Sequence, residues 1–226
     1  MEAKVLANLM AANDDFAGQI RSLLAQKNIP MFNLIGGPGC GKTTLLEQTI
    51  SAVASDLRLA VIEGDIATPR DAERIAEAGA ESIQINTQGS CHLDANLVLR
   101  ALEELDLVQA DLVVVENVGN LVCPAEFDIG EHAKVGMLSV TEGDDKVLKY
   151  PLLFREAKVV ILNKVDLLPY VSFDRSRFYD DLKQLNGKAQ IIEISATTGD
   201  GMETWFAWLA NFASDSDPAL HLEAQF

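Results

Sequence analysis

A glycine-rich run between an apolar segment and a helical pattern constrains this chain more than any other feature. The eight residues Gly36–Thr43 read G-G-P-G-C-G-K-T, which matches G-x-x-x-x-G-K-T. They follow the apolar segment Met31–Ile35 and lead into the helical pattern Lys42–Ser55. Glycines in such a loop let successive backbone N–H groups turn towards phosphates, and the helix N-terminus adds positive partial charge. The run therefore predicts a strand, a phosphate-binding loop and a helix, in that order.

The loop also predicts individual contacts to a nucleotide. Lys42 is expected to contact β- and γ-phosphate oxygens, and the Thr43 hydroxyl to bind Mg²⁺. A glycine-rich turn without function is the alternative, but the strand–loop–helix context is intact and argues against it. The predicted phosphate-loop contacts are Gly37, Pro38, Gly39, Cys40, Gly41, Lys42, Thr43 and Thr44.

A second motif indicates which base is bound. The sequence N-K-V-D at 163–166 follows the apolar strand pattern Val159–Asn163 directly. A carboxylate there can accept from N1–H and the exocyclic amine of guanine, a donor pair that adenine does not offer, and such sites reject the wrong base strongly. The sequence S-A-T at 195–197 resembles the loop that offers a backbone N–H to guanine O6. The predicted GTP/GDP contacts are Asn163, Lys164, Asp166, Ser195, Ala196 and Thr197.

Acidic residues at two strand ends predict the Mg²⁺ side of the site. Asp65 and Glu116 follow apolar strand patterns, whose carboxyl ends meet at one edge of an open α/β sheet. Glu116-Asn117-Val118-Gly119 is similar to a D-x-x-G switch with Glu in place of Asp, and no glutamine follows to orient a water. We therefore expect slow intrinsic hydrolysis. The predicted catalytic residues are Lys42, Thr43, Asp65 and Glu116, and an ordinary loop carboxylate is the alternative for Asp65.

The rest of the chain alternates apolar runs with helical patterns, which is typical of a mostly parallel sheet flanked by helices. We expect a P-loop NTPase fold of the G-domain type at 30–213, an N-terminal helical extension at 1–29 with an amphipathic helix at 4–27, and an acidic tail at 214–226. The predicted strands are Met31–Ile35, Leu59–Glu63, Ser82–Ile85, Leu112–Glu116, Lys134–Val140, Val159–Asn163 and Gln190–Ile194. The predicted helices are Lys42–Ser55, Arg70–Ala78, Leu93–Leu105, Phe173–Asn186 and Met202–Phe212.

Thiol and imidazole groups form a further candidate site. Cys91, His92 and Cys123 offer ligands that suit Zn²⁺ or Ni²⁺. Three ligands are one short of a closed tetrahedral site, so either solvent completes the shell or a two-fold axis joins two sets. Small buried cysteines with an unrelated histidine are the alternative. We interpret Cys40 as a variable loop position, and we do not expect His132 or His221 to be ligands.

Charge and composition exclude several classes of function. Lys and Arg number 18 and Asp and Glu 34, for a net charge of −16. No run of Lys or Arg supplies the basic face that nucleic acid or an anionic membrane would require, so neither is expected as a partner. No stretch approaches the ~18 apolar residues of a membrane span, and the polar N-terminus is unlike a secretory signal. Three cysteines fit a reducing compartment, and we expect a cytoplasmic protein.

Several segments together resemble the hydrogenase nickel-incorporation GTPases, the HypB family. They are the phosphate loop, Ser90–Ala95, the run E-N-V-G-N-L-V-C-P at 116–124, Thr141–Lys146 and Asn163–Tyr170. The resemblance implies a cytoplasmic GTPase that helps to insert nickel into the hydrogenase large subunit. It also implies a GTP-dependent homodimer with Cys91, His92 and Cys123 as ligands at the subunit interface, and delivery together with a small zinc-containing nickel-binding accessory protein.

Two departures and three alternatives accompany the resemblance. Some members carry an N-terminal cysteine motif or a histidine-rich stretch, and this sequence has no Cys before Cys40 and no His before His92, so we do not expect nickel storage. A urease accessory GTPase is the related alternative, but its Cys-Pro-His motif is absent because Ala125 follows Cys123-Pro124. A zinc-binding scaffold with a structural nucleotide is another. A P-loop kinase is the third, and N-K-V-D argues against it.

Overall fold

A seven-stranded sheet forms the centre of the computed structural model, which describes residues 2–65, 70–87 and 89–214. The strands are β1 (Met31–Gly36), β2 (Leu59–Asp65), β3 (Glu81–Asn86), β4 (Leu112–Glu116), β5 (Ala133–Ser139), β6 (Val159–Asn163) and β7 (Gln190–Glu193). Their order across the sheet is β3-β2-β4-β1-β5-β6-β7, and every pairing among them is parallel.

Helices connect the strands and cover both faces of the sheet. They are α1 (Glu2–Lys27), α2 (Lys42–Val53), α3 (Arg70–Glu77), α4 (Ala95–Glu104), α5 (Cys123–Glu126), α6 (Lys146–Lys149), α7 (Pro151–Glu156), α8 (Arg175–Leu185) and α9 (Met202–Ser214). Two 3₁₀ helices span Val140–Glu142 and Val165–Tyr170. None of the helices in the described ranges has the length and apolarity needed to cross a bilayer.

Burial explains why the apolar runs form strands. Every residue of β1, β4, β5 and β6 is buried, as expected for parallel strands with helices on both faces. One face packs on α2 and α9, where Trp205 meets Phe32 edge-on at 5.8 Å. The other face packs on α1 and α4, with Ile20 and Val98 in its core. The predicted P-loop NTPase fold is confirmed.

The strand order determines where a ligand can bind. From β1 the chain passes to β2 and β3 on one side of the sheet, returns to β4 beside β1, and then continues through β5, β6 and β7 on the other side, so the direction in which strands are added reverses beside β1. In open α/β sheets, ligands bind at the carboxyl ends of the strands beside such a switch point. The glycine-rich loop leaves β1 at this position.

Some sequence predictions differ from the structure in detail. Helix α4 begins at Ala95 rather than Leu93, because the Asp94 carboxylate caps it by accepting from Leu97 N at 2.8 Å. The short helices α5, α6 and α7 were not predicted, because four to six residues are too few to display helical periodicity. The tail beyond Ser214, including His221, lies outside the described residues.

Candidate nucleotide and metal sites

The glycine-rich loop adopts a conformation that requires its glycines at two points. Gly39 and Gly41 have φ angles of 76° and 105°, which L side chains rarely adopt. A Cβ on Gly41 would also come within 2.5 Å of the Asn163 amide nitrogen. Lys42 begins α2, and its ammonium lies 3.4 Å from Gly36 O. The loop therefore forms a tight cradle in front of a helix N-terminus.

A cleft of about 400 Å³ opens in front of this cradle. Its size is within the range of small-molecule sites. Cationic groups and buried carboxylates both face it, which suits a phosphate chain accompanied by a divalent cation. The lining residues are Pro38, Gly39, Gly41, Lys42, Thr43, Thr44, Glu63, Gly64, Arg74, Glu116, Asn117, Gly119 and Lys164.

Two buried carboxylates lie on the side of the cleft where the sequence predicts Mg²⁺. Glu116 accepts a hydrogen bond of 2.9 Å from the Thr43 hydroxyl. Glu63 is its register partner on β2 and is only 2% exposed. Glu63 is not among the predicted site residues because it ends a predicted strand, although an acidic residue in an apolar run is itself a signal. Asp65 ends β2, and its carboxylate lies outside the described part of the structure.

The predicted base motif is joined to the phosphate loop by direct hydrogen bonds. The Asn163 amide donates to Cys40 O at 2.8 Å and accepts from Ala196 N at 3.1 Å. Lys164 has a left-handed backbone with φ of 61°, and its ammonium donates to Gly39 O at 2.7 Å. One amide thus connects three loops that are far apart in sequence.

The remaining base residues lie around this junction rather than in the cleft itself. Asp166 is half-buried in the second 3₁₀ helix, whose Val165 N donates to Ile194 O at 3.2 Å. Ser195 is buried and Thr197 is exposed. Because Ala196 N already donates to Asn163, we expect guanine O6 to be met by another N–H of the 195–197 loop.

Two further residues adjoin the phosphate loop and were not singled out from the sequence. Arg74 on α3 is held by Glu47 at 2.5 and 2.8 Å, and it donates to Thr44 Oγ1 at 3.3 Å. Glu142 accepts from Ser139 N at 2.8 Å in a capping box, and a Cβ on Gly37 would collide with its carboxylate. Burial raises the pKa of Glu142 above its ordinary value. Arg74 carries no sequence motif of its own, whereas Glu142 lies in the Thr141–Lys146 segment and ends the S-x-x-E capping-box pattern that begins at Ser139.

The predicted metal ligands come together from two separate loops. The ligand atoms of Cys91, His92 and Cys123 all lie within 4.8 Å of one another. The Cys91 sulfur is 3.7 Å from His92 Nδ1. Tetrahedral coordination with ordinary Zn–S and Zn–N bond lengths separates sulfur from nitrogen by about 3.6 Å. The residues present therefore fit a thiolate–imidazole metal site with Nδ1 as the nitrogen ligand.

The protonation states of these groups have local causes. Burial lowers the pKa of His92, which favours the neutral imidazole that a metal requires. A hydrogen bond with the Cys123 side chain raises the pKa of Cys91 above its ordinary value. Cys40 does not join the cluster: it is fully buried, and burial raises its pKa to about 11. His132 is also buried, and its Nδ1 accepts from Met31 N at 3.0 Å.

Asparagine side chains connect the Glu116 segment to the metal cluster. Asn117 is buried, and its Oδ1 accepts from Leu93 N at 3.2 Å and from Val118 N at 3.0 Å. Asn120 donates to Cys91 O at 3.2 Å. The segment that runs from Glu116 to Cys123 therefore holds the backbone on both sides of His92.

A buried lysine holds the helix that begins with Cys123. Lys134 on β5 donates to Ala125 O at 2.8 Å, and it also pairs with the Glu156 carboxylate. Its side chain is only 9% exposed. Sequence reasoning did not predict this contact, although a lysine inside an apolar strand is an indication of a buried ion pair.

The fold and the loop define a P-loop nucleotide-binding protein. The family model described as "CobW/HypB/UreG, nucleotide-binding domain" matches residues 30–193. A hydrogenase maturation factor HypB from Escherichia coli (strain K12) is 46% identical over 206 residues, which cover 91% of this chain and 71% of that protein. The chain belongs to the HypB family of hydrogenase maturation factors.

Further comparisons agree with this assignment. The HypB of Azotobacter chroococcum mcd 1 is 46% identical over 202 residues, which cover 89% of this chain and 66% of that protein. The chain therefore spans about two thirds of the length of these curated relatives. The crystal structure of HypB from Helicobacter pylori in complex with nickel superimposes with a TM-score of 0.85 at 35% identity, covering 89% of this chain and 95% of that one.

Proposed function

We propose that this chain is a GTP-binding and GTP-hydrolysing metallochaperone that assists nickel insertion into nickel–iron hydrogenase. The observation that carries the proposal is the direct connection between a nucleotide cleft and a thiolate–imidazole cluster in one chain. Asn117 lines the cleft and also accepts from Leu93 N, the residue after His92. The solved relative from Helicobacter pylori in complex with nickel supports nickel as the cargo.

The nucleotide end acts through binding and positioning. Lys42 and the N–H groups of the glycine-rich loop hold the phosphates, and Asp166 selects guanine. Thr43, Glu116 and Asp65 would hold Mg²⁺, which neutralises phosphate charge when bound. No glutamine beside Glu116 orients a water, so turnover by the isolated chain is slow.

The metal end acts as a site that depends on the nucleotide state. Movement of the 116–119 segment on hydrolysis displaces Asn117 and Asn120, and with them the backbone around Cys91 and His92. Three ligands leave a fourth position, which either solvent or a second subunit fills in a GTP-dependent homodimer.

Domain limits at 1–29, 30–213 and 214–226 and a cytoplasmic location belong to the same proposal. So do a small nickel-binding accessory protein and the hydrogenase large subunit as partners.

The proposal is tested by comparing nucleotide states. Molar mass in solution and Ni²⁺ affinity are measured with GDP and with a non-hydrolysable GTP analogue. We expect a dimer with the analogue, a monomer with GDP, and different Ni²⁺ affinities in the two states. Equal masses and equal affinities would contradict the coupling between the sites. Tight zinc in every nucleotide state with negligible turnover would favour the scaffold alternative.

A pair of cysteine variants tests the ligand assignment. Cys123→Ala is expected to abolish stoichiometric binding of Ni²⁺ or Zn²⁺, because it removes one of the three clustered groups. Cys40→Ala is the matched control, since that thiol is buried in the phosphate loop and outside the cluster. Metal retained by Cys123→Ala would remove this cysteine from the site.

A further inference from the structure

The buried stripe of helix α1 contains a polar side chain. Within residues 10–27 of α1, the buried positions are Asn13, Ala17, Ile20 and Leu24, which follow helical spacing. Asn13 is 7% exposed and stands where an apolar residue would complete the stripe. Burial of an amide costs free energy unless its donor and acceptor are both used. A buried asparagine at this position therefore calls for a specific role.

Asn13 uses both ends of its amide, on two different segments. Its Oδ1 accepts from Ala95 N at 2.9 Å, and its Nδ2 donates to Asp128 O at 2.7 Å. These partners are 82 and 115 residues away in sequence. The single amide thus bridges the first residue of α4 and the loop that follows α5.

The two bridged segments are those that carry the metal ligands. Ala95 begins α4 three residues after His92, and Asp128 follows α5, which begins with Cys123. The residue before Asp128 is Phe127, whose ring stacks on the His92 imidazole with centroids 3.9 Å apart and planes 26° apart. The spacing that Asn13 fixes is therefore the spacing between the Cys91–His92 loop and the Cys123 segment.

Other contacts also hold the 128–130 loop, which follows α5, against α1. One guanidinium nitrogen of Arg21, Nη2, donates to both oxygens of the Asp128 carboxylate, at 2.5 and 2.6 Å. Gly130 lies so close to α1 that a Cβ on it would come within 2.8 Å of Ala17 O. The 128–130 loop therefore cannot shift relative to α1 without breaking these contacts.

We propose that Asn13 is a positioning residue of the metal site, and that helix α1 is thereby a structural part of that site. The inference rests on the proposed Cys91, His92 and Cys123 ligand set. When a group that orients metal ligands without binding the metal itself is removed, metal affinity typically falls 10- to 100-fold. Asn13 acts on the backbone that carries the ligands and does not touch the metal itself.

The test uses the full chain with Ni²⁺ alone as the probe. Asn13→Ala is expected to weaken Ni²⁺ binding about tenfold, and to shift the nickel–thiolate charge-transfer absorption. In the metal-free protein, alkylation of Cys91 and Cys123 is expected to accelerate. GDP affinity is expected to stay unchanged, because Asn13 makes no contact with the cleft. Asn13→Asp keeps the acceptor for Ala95 N, so its Ni²⁺ affinity should lie between those of Asn13→Ala and the unaltered chain.

A control separates positioning from loss of stability. Leu24→Ala truncates a fully buried residue on the same stripe of α1, eleven residues along the helix from Asn13. It is expected to lower the unfolding midpoint and to leave Ni²⁺ affinity and the absorption spectrum unchanged. The inference would be overturned if Asn13→Ala bound Ni²⁺ as tightly as the unaltered chain, or if Asn13→Ala and Leu24→Ala weakened Ni²⁺ binding equally. In either case the proposed function would still be upheld if Ni²⁺ binding depended on Cys123. Binding that does not depend on Cys123 would overturn both.

Discussion

The hydroxyl of Thr43 lies 2.9 Å from the Oε1 of Glu116, so the first turn of α2 and the end of β4 meet at one point. The two residues are 73 positions apart in sequence. Glu63 adds a second buried carboxylate from the adjacent strand. Nucleotide-bound Mg²⁺ is expected to replace the direct contact between hydroxyl and carboxylate.

Glu116→Gln tests this Mg²⁺ arrangement. Glutamine keeps an oxygen that can accept from Thr43 but loses the negative charge, so we expect GTP hydrolysis to fall about 100-fold and to need more Mg²⁺. Single-turnover hydrolysis measured across a Mg²⁺ titration checks this. Glu63→Gln is the comparison variant. If only Glu63→Gln changes the Mg²⁺ requirement, the role belongs to Glu63 instead.

Asp166→Asn tests the base assignment. An asparagine offers a donor where guanine also offers one, so guanine loses its pairing while xanthine, with an oxygen at that position, gains it. We expect the preference for guanine over xanthine nucleotides to fall by about 1000-fold. Competition of GDP and XDP against a fluorescent nucleotide measures the preference. Asp200→Asn, on an exposed neighbouring loop, is the control. Undiminished guanine selectivity in the Asp166 variant would contradict the assignment.

Gly41→Ala and Gly39→Ala separate backbone strain from crowding. Both glycines have positive φ, so alanine at either position costs about 1–2 kcal/mol. Only at Gly41 would the new Cβ also meet the Asn163 amide, whereas nothing lies within 4 Å at Gly39. The free energy of unfolding without nucleotide, measured in urea, should therefore fall further for Gly41→Ala. Equal losses of unfolding free energy in the two variants would show that crowding against the Asn163 amide does not destabilise the fold further.

Glu131 makes folding stability depend on pH. Its side chain is 5% exposed, and burial raises its pKa from 4.5 to about 7, against the opposing charge of Lys134. The folded state therefore holds a proton that the unfolded state releases, and stability falls as pH rises from about 4.5 to 7. The loss is on the order of 3 kcal/mol at most.

Glu131→Gln is expected to flatten that pH dependence. Glutamine can still accept from Ile129 N, which donates to Glu131 at 2.8 Å, but it does not titrate. Urea unfolding at several pH values gives the free energy of unfolding as a function of pH for the unaltered chain and for Glu131→Gln. Contributions from other titrating groups cancel when the two slopes are compared. Identical slopes would mean that Glu131 is ionised throughout this range in the folded protein.

The fold was predictable because its signals are local. Runs such as Leu112–Glu116 are apolar on both faces, and each occurs between turn residues, so strand number and parallel order follow from the pattern. The glycine-rich loop gave the position of the cleft for the same reason. Helices α5 to α7 were not predicted because they are too short to show the hydrophobic periodicity of a helix.

The contacts that unite the two candidate sites were not predictable in this way. Asn13, Asn117 and Lys134 each form hydrogen bonds with residues outside their own element. Such long-range pairs leave no periodic pattern in the sequence. The roles of the site residues, from Lys42 to Cys123, stay predictions until nucleotide and metal are measured. Their placement within two adjoining clusters is what the structure adds.

The double contact of Asn163 has a consequence for fidelity. Because this side chain bonds both Cys40 O and Ala196 N, a base that fits badly beside the 195–197 loop also loosens the support of the phosphate loop. A wrong nucleotide then loses phosphate contacts as well as base contacts. We therefore expect the proposed GTPase to discriminate against ATP in catalytic turnover as well as in occupancy, so that ATP is bound weakly and hydrolysed more slowly still.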